Sequence, residues 1–412
     1  MALTLRSHLV TAVCCASALL ATGTAPAVAQ PTVASPVGPS PVEQLRRDTV
    51  AIRDLGVSGV QARAIGADGR PSVATSGTAD LRTGRPVSAD GYFRMASTSK
   101  ALVATVVLQL EAEGRLSLDD TVDHWLPGVV DGNGNDGRRI SLRHLLQHTS
   151  GIRDAMPGYT TPEEYYQQRY TVYESQQLID LAMEQAPEFP PGEGWAYSNT
   201  GYVLLGMVVR EATGSPAHRE IEKRVLRPLG LHRTTWMGTS PTLPRPHARA
   251  YEYYGPGSRV DVTDQISVDH ENHSWVTTTE DENRFFRALL GGRLLPARQL
   301  AAMKKTVPVD AATEEMWPGG RYGLGLVERP LGCGGSYWGH EGGDGGYITL
   351  NGVTDDGRRS VVVSMSEARG DSLEHILEQE NAASALVENA LCAAGSSAGG
   401  SAGSSAGGSK AP

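Results

Sequence analysis

From Phe93 the chain runs FRMASTSKALVA, with Ser97 and Lys100 three residues apart where a polar stretch becomes an apolar, helix-forming segment. On a helix that spacing puts both side chains on one face. A hydroxyl then sits beside an amine able to take its proton, the pairing nucleophilic acyl transfer needs. Ser and Thr are also ordinary helix N-caps, and a first-turn lysine is an ordinary solvated charge. The pair therefore gains meaning only from the rest of the chain.

Two further stretches supply it. WAYSNTGYVLLG places Tyr197, Ser198 and Asn199 just ahead of a helical pattern, and YWGHEGGDGGYITL places His340, Glu341 and Gly342 on a strand near the C-terminus. Singly, each has a plain reading: Tyr197 as a packed phenol, Asn199 as a helix cap, His340 as a satisfied strand histidine.

S-x-x-K, Y-x-N and H-x-G, in that order and well separated, resemble the serine β-lactamase and penicillin-binding-protein superfamily. Within it the chain resembles the class C branch, the secreted D-alanyl-D-alanine carboxypeptidases and the D-stereospecific aminopeptidases and amidohydrolases. The likeness spans roughly residues 45–394 and includes DLRTGRPVSADGYFRMASTSK, LRHLLQHTSG, PPGEGWAYSNTGY and YGLGL. It implies Ser97 as nucleophile and Lys100 as its base once burial lowers the amine's pKa. It implies Tyr197 as proton relay to the leaving group, with Asn199 holding substrate backbone and the Lys100 amine. His340 counts among the expected catalytic residues, and its strand would be the opposite wall, where a substrate lies as an added strand and Gly342 permits close approach. By the same analogy the backbone N–H groups of Ser97 and Gly343 form the oxyanion hole.

The chain departs from that pattern on the H-x-G strand. Carboxypeptidases of this branch hold a substrate carboxylate with hydroxyl residues there and an Arg on the preceding strand. Here Glu341, Gly343 and Asp344 occupy the strand, and Val327 and Glu328 stand where that Arg is expected, with Arg329 a candidate replacement. A carboxylate about 5 Å from Glu341 would be repelled by roughly 3 kcal/mol at an effective dielectric near 20, and an ammonium attracted as much. Substrate contacts are thus expected from Glu341, Gly342, Gly343 and Asp344, for a substrate with an N-terminal D-amino acid, unless Glu341 points to solvent. Four activities stay open: D-aminopeptidase or amidohydrolase, carboxypeptidase or transpeptidase, carboxylesterase, and a non-catalytic β-lactam-binding protein.

Composition bounds the partners. Over 412 residues the net charge is −9 and no Lys/Arg run stands out, which excludes nucleic acid as a partner. The expected partners are small molecules or peptides containing D-amino acids, and β-lactam inhibitors; a monomer is expected. No cofactor is expected. His144 and His148 have a zinc-like spacing, but no Glu follows His144 and no third ligand is near. GHEGGDGGY lacks the Lys and Ser/Thr of a phosphate loop. Three G-x-S-x-G matches, at Ser397, Ser401 and Ser405, fall in Gly/Ser/Ala repeats without strand or helix signals and are accidents of composition.

The elements that must position these residues follow from periodicity. Residues 1–29 read as a secretory signal peptide cut near Ala29, so an extracellular protein without a membrane anchor is expected. Cys333 and Cys392 then remain; in an oxidising compartment they most simply pair, two free thiols being the alternative. VQARAIGADGRPSVATSG reads as a hairpin around Asp68-Gly69. Leu102, Val103, Val106, Val107 and Leu110 share a helical face, with Gly114 as C-cap. Strand patterns return after about residue 295 and a helix follows, QENAASALVENALCAA. The predicted fold is α/β (α+β), an antiparallel sheet built from both ends of the chain and flanked by helices, within residues 30–394. A mainly helical lobe, approximately 101–295, is inserted in it. Residues 395–412 are expected to be a disordered tail.

Overall fold

The alternating run after Ser58 forms strands Gly59–Ile65 and Pro71–Asp80. Their turn is closed by Gly66 N–H to the Arg70 carbonyl at 3.0 Å and Gly69 N–H to the Gly66 carbonyl at 2.8 Å. The computed structural model describes residues 39–255 and 257–393, so the expected leader and tail lie outside the described residues.

Strand Gly59–Ile65 pairs antiparallel with Ser360–Met365, Ala62 opposite Val363, so the two ends of the chain meet in the sheet centre. The order from one edge is Val307–Pro308, Arg321–Tyr322, Val327–Pro330, Ser336–Gly339, Tyr347–Thr354, Ser360–Met365, Gly59–Ile65, Pro71–Asp80 and Arg85–Pro86. Gly342–Asp344 pairs separately with Tyr347–Thr354. Ser360–Met365 is buried along its whole length, as a central strand covered on both faces must be.

One face is covered by helices Pro41–Asp54 and Leu373–Cys392, through Leu45, Ile52, Leu386 and Val387 against Val60, Val361 and Val363. Nothing in the periodicity reading predicts Pro41–Asp54, although Ser40 and Glu43 form a reciprocal capping box with Pro41 at the first helical position. Cys333 and Cys392 are bonded, Cα–Cα 5.9 Å, tying the loop after Val327–Pro330 to the end of the last helix.

The middle of the chain is mainly helical. Helix Lys100–Ala112 runs through its core with every residue from Lys100 to Leu108 buried, so the single apolar face expected is too narrow a description. Gly114 ends it at φ 69°. Two departures concern the inserted lobe. Short strands Trp275–Thr277 and Thr235–Trp236 extend from Phe93–Arg94, and Tyr251–Tyr253 pairs in parallel with Glu367–Ala368, which stitches the lobe to both ends. Helix Thr279–Leu290 packs on the sheet: Asn283 Nδ2 donates to the Arg63 carbonyl at 3.0 Å and Glu282 accepts from Asn351 at 2.7 Å.

Candidate active site

Ser97 sits in a 3-10 turn, Ala96–Ser99, that leads straight into the buried helix. Ala96 holds φ 51°, a left-handed conformation a Cβ-bearing residue adopts only when its surroundings enforce it. Those surroundings are visible. Met95 N–H bonds the Trp275 carbonyl at 2.9 Å, Ser99 Oγ the Ala96 carbonyl at 2.6 Å and Thr98 Oγ1 the His340 carbonyl at 3.1 Å. The turn is thus fixed to two strands, and Ser97 is its one partly exposed side chain.

Lys100 Nζ lies 3.0 Å from Ser97 Oγ and 2.6 Å from Asn199 Oδ1. The lysine is fully buried, and burial pulls its pKa from 10.5 down to about 7, against the opposing charges of Asp154 and Asp269. An amine of that kind is free to accept a proton near neutrality. Tyr197 is pushed well above its usual pKa by burial, with the Ser97 hydroxyl opposing, and stays a neutral phenol. Lys100 can therefore accept a proton and Tyr197 can carry one.

Asn199 opens helix Asn199–Thr213, and the N-cap is Ser198. Its amide is held on both sides, Oδ1 by Lys100 and Nδ2 by Asp154 Oδ2 at 2.8 Å. His148, considered in the sequence only for zinc, accepts the Ser198 backbone N–H on Nδ1 at 3.1 Å, and its ring packs 4.4 Å from Tyr197. His144 does different work, accepting the Ser141 N–H in a helix cap.

His340 requires a correction to its expected catalytic role. The ring is buried; Nδ1 faces the Glu341 carbonyl at 2.7 Å and so carries the proton, which leaves Nε2 to accept from Tyr322 Oη at 2.8 Å. Burial and the Lys100 charge push its pKa to about 3. The imidazole is neutral with both nitrogens occupied, a wall of the site rather than a proton carrier. Asn351 clamps the main chain there, accepting His340 N–H at 3.0 Å and donating to its carbonyl at 2.7 Å.

Strand alternation sorts the rest of the H-E-G-G-D run. Gly342 faces the nucleophile turn; a Cβ there would lie 2.4 Å from the Met95 carbonyl oxygen and 2.9 Å from Thr98 Oγ1. The close approach it permits is to the protein's own backbone, not the substrate's as expected. Asp344, two residues on, faces the same way and is held by Gln265 Nε2 at 2.8 Å, with Arg94 at 4.0 Å. It does not line the cavity, so its expected substrate contact is corrected as well. Gly343 points outward and does line it.

That cavity, about 350 Å³, opens between Ser97, Tyr197, Trp317, the Gly342–Gly343 strand and the C-terminal helix at Ile376–Glu380. Glu341 enters it bonded to Arg329 and Trp317 rather than directed to solvent. Asp154, His148, Trp317 and Glu380 are site residues no motif announces.

A family model described as Beta-lactamase matches residues 45–385. The structure resembles a D-stereospecific amidohydrolase from Streptomyces sp., with 36% identity, 82% of this chain and 97% of that one covered and a TM-score of 0.74. It also resembles the D-amino acid amidase from Ochrobactrum anthropi SV3 complexed with D-phenylalanine, at 26% identity, 85% and 99% coverage and a TM-score of 0.71. Penicillin-binding protein 4* of Bacillus subtilis is 34% identical over 160 residues, 38% of this chain and 33% of that protein. The chain spans less than two thirds of the curated relatives it matches, up to 61% for the putative penicillin-binding protein PbpX.

Proposed function

The chain belongs to the beta-lactamase family, and from that premise we propose that it is a D-stereospecific peptidase or amidohydrolase working through an acyl-enzyme on Ser97. The observation that carries the reading is the 3.0 Å contact between Ser97 Oγ and a fully buried Lys100 whose pKa stands at about 7. Neutral Lys100 takes the Ser97 proton as Oγ attacks the substrate carbonyl. Backbone N–H groups of Ser97 and Gly343 hold the developing oxyanion. The proton returns by way of Tyr197 to the leaving amine or alcohol, and water then releases the acyl group by the same steps in reverse. Asn199 and Asp154 keep the Lys100 amine aimed.

The likeness to two D-stereospecific enzymes over most of their length supports a D-amino-acid acyl donor. Penicillin-binding protein 4* supports a carboxypeptidase as second reading. It fits less well, because Arg329, the cation a substrate carboxylate would need, already serves Glu341 and Glu380. The Cys333–Cys392 bridge supports export, and no helix among the described residues is long and apolar enough to cross a membrane.

The test is a side-by-side assay of a D-amino-acid amide, its L-enantiomer, a D-Ala-D-Ala peptide, a butyrate ester and nitrocefin, with intact mass after exposure to an activated D-ester. Turnover of the D-amide above the others, and an acyl adduct lost in Ser97→Ala, is expected. An adduct that persists in Ser97→Ala overturns the nucleophile, and preference for the D-Ala-D-Ala peptide moves the carboxypeptidase reading to first place.

A further inference from the structure

The ladder beside the nucleophile turn stops and starts again. Trp338 pairs with Val353, and Gly342 with Thr349, along strand Tyr347–Thr354. Counting inward from either pair sets His340 opposite Asn351, yet His340 and Glu341 belong to no strand. In place of the backbone pair, the Asn351 carboxamide enters the gap. Its Oδ1 accepts the His340 N–H at 3.0 Å and its Nδ2 donates to the His340 carbonyl at 2.7 Å. A carboxamide offers the same donor and acceptor as a peptide group, so the ladder's bonds are satisfied with a side chain between the two main chains. Gly339 leaves room for it; a Cβ there would lie 2.4 Å from the Asn351 carbonyl oxygen and 2.5 Å from Asn351 Oδ1. The His340 carbonyl, lifted off its partner strand, takes its second bond from Thr98 Oγ1 at 3.1 Å, in the turn that carries Ser97.

The Asn351 amide has one N–H left, and it goes to Glu282 Oε1 at 2.7 Å, on helix Thr279–Leu290. Asn351 is 4% exposed and Glu282 1%, so without that oxygen the N–H would be buried unpaired. Glu282 Oε2 is buried without a hydrogen-bond partner, so the carboxyl's side-chain bonding is spent on Asn351. A buried carboxyl of this kind carries a desolvation cost that a leucine of similar volume would not. Burial, with the Asn351 bond opposing, pushes its pKa up to about 8, which keeps it chiefly the uncharged acid at neutrality. We propose that Glu282 is a positioning residue for Ser97: acting through Asn351, it holds the His340 main chain off its partner strand and against the nucleophile turn. Glu282 touches no reacting atom, and its role rests on the acyl-enzyme reading. The connection runs Glu282, Asn351, His340, Thr98, each bonded to the next, and ends beside the nucleophile.

Two readouts test it: hydrogen exchange at the His340 amide, and the rate at which an activated D-ester acylates Ser97. Glu282→Gln keeps an oxygen for the Asn351 N–H and should match wild type in both. Glu282→Leu leaves that N–H unpaired; it should speed exchange at His340 and slow acylation, each by about tenfold to a hundredfold. The ester concentration giving half the maximal rate should change little. Asn351→Ala should show the same losses, and Glu282→Leu added to it should cost little more, since both act on one chain of bonds. Glu282→Met takes the place of Glu282→Leu if the latter does not fold. Wild-type exchange at His340 in the apolar variant, losses that add in the double variant, or an equal loss in Glu282→Gln would overturn the positioning role. If the wild-type enzyme forms no acyl adduct, the acyl-enzyme reading falls, and the exchange ratios still decide whether Glu282 holds the strand.

Discussion

His148 Nδ1 accepts the backbone N–H of Ser198 across 50 residues of sequence, and this bond suspends Tyr197 and Asn199 over the nucleophile. His148 itself holds φ 59°, a conformation Asn tolerates and Leu resists. His148→Asn keeps both an acceptor and a compatible backbone; His148→Leu keeps neither and leaves the Ser198 N–H buried without a partner, a cost of about 1–3 kcal/mol. Steady-state kinetics should find His148→Asn close to wild type and His148→Leu down by roughly one to two decades in kcat/KM. Comparable losses in both would mean the ring, not the bond, matters.

Lys100 sets the pH dependence. Its neutral form is the proposed base, so kcat/KM should climb with pH through about 7 and level above it. Asp154 raises that value by its charge, so Asp154→Asn, which retains an oxygen for Asn199, should move the acid limb to lower pH. A pH–rate profile checks both, and an unmoved limb would show that the limb belongs to another group.

The same shift has a stability consequence. A lysine at about 7 in the fold and near the ordinary 10.5 when unfolded means the unfolded chain binds more protons between those values. Stability should therefore rise with pH across that window and be flat below it, at a cost on the order of 5 kcal/mol near neutrality. Lys100→Met, free of that cost though without the Asn199 contact, should be inactive yet melt several degrees higher at pH 6–7, read by thermal denaturation. A lower melting temperature at that pH would mean the ammonium's contacts outweigh its burial.

Much of this site was legible because its chemistry is local. Ser97 and Lys100 are one helical turn apart, and Tyr197 and Asn199 adjoin one helix start, so type and spacing carry the information. What escaped was assembled by topology. Asp154 reaches Asn199 over 45 residues and Glu380 reaches Arg329 over 51, separations that no period encodes. Asp344 was misjudged because one strand position decides between facing Arg94 and facing the cavity, and residue type alone does not reveal which. The strands stitching the lobe to the sheet are two or three residues long, too short for alternation to register. Helix Pro41–Asp54 carries a local signal that apolar periodicity does not capture, the capping box written in Ser40 and Glu43.

The disulfide anchors the helix that bears Glu380. It closes a loop with a sequence separation of 59, for which chain entropy predicts about 4 kcal/mol. Replacing Cys333 and Cys392 with Ser should lower stability by roughly 2–4 kcal/mol in urea melts, with the acyl-enzyme still forming at Ser97. A free thiol detected in the native protein would contradict the bond outright.

Gly342→Ala is the sharpest test of how the strand positions the nucleophile. The added methyl would fall 2.4 Å from the Met95 carbonyl oxygen, 2.9 Å from Thr98 Oγ1 and 3.2 Å from Thr98 N. Two of these three atoms are backbone, and none is the end of a flexible side chain, so the clash cannot be relieved by a rotamer change. Either the strand retreats, breaking the 3.1 Å bond from Thr98 to the His340 carbonyl, or the Ala96–Ser99 turn shifts and carries Ser97 with it. Overpacking of this kind typically costs about 1–3 kcal/mol of stability, whereas an ångström of displacement at a nucleophile can cost about a hundredfold in rate. Gly342→Ala should accordingly remain folded, with kcat falling near a hundredfold and far beyond what its stability loss explains. Gly343→Ala, whose Cβ would meet the side-chain end of Ile348 at 3.1 Å and the Tyr347 carbonyl oxygen at an ordinary 4.0 Å, should be much milder in kcat. If the two variants lose kcat alike, the strand's contact with the nucleophile turn is not what sets the position of Ser97.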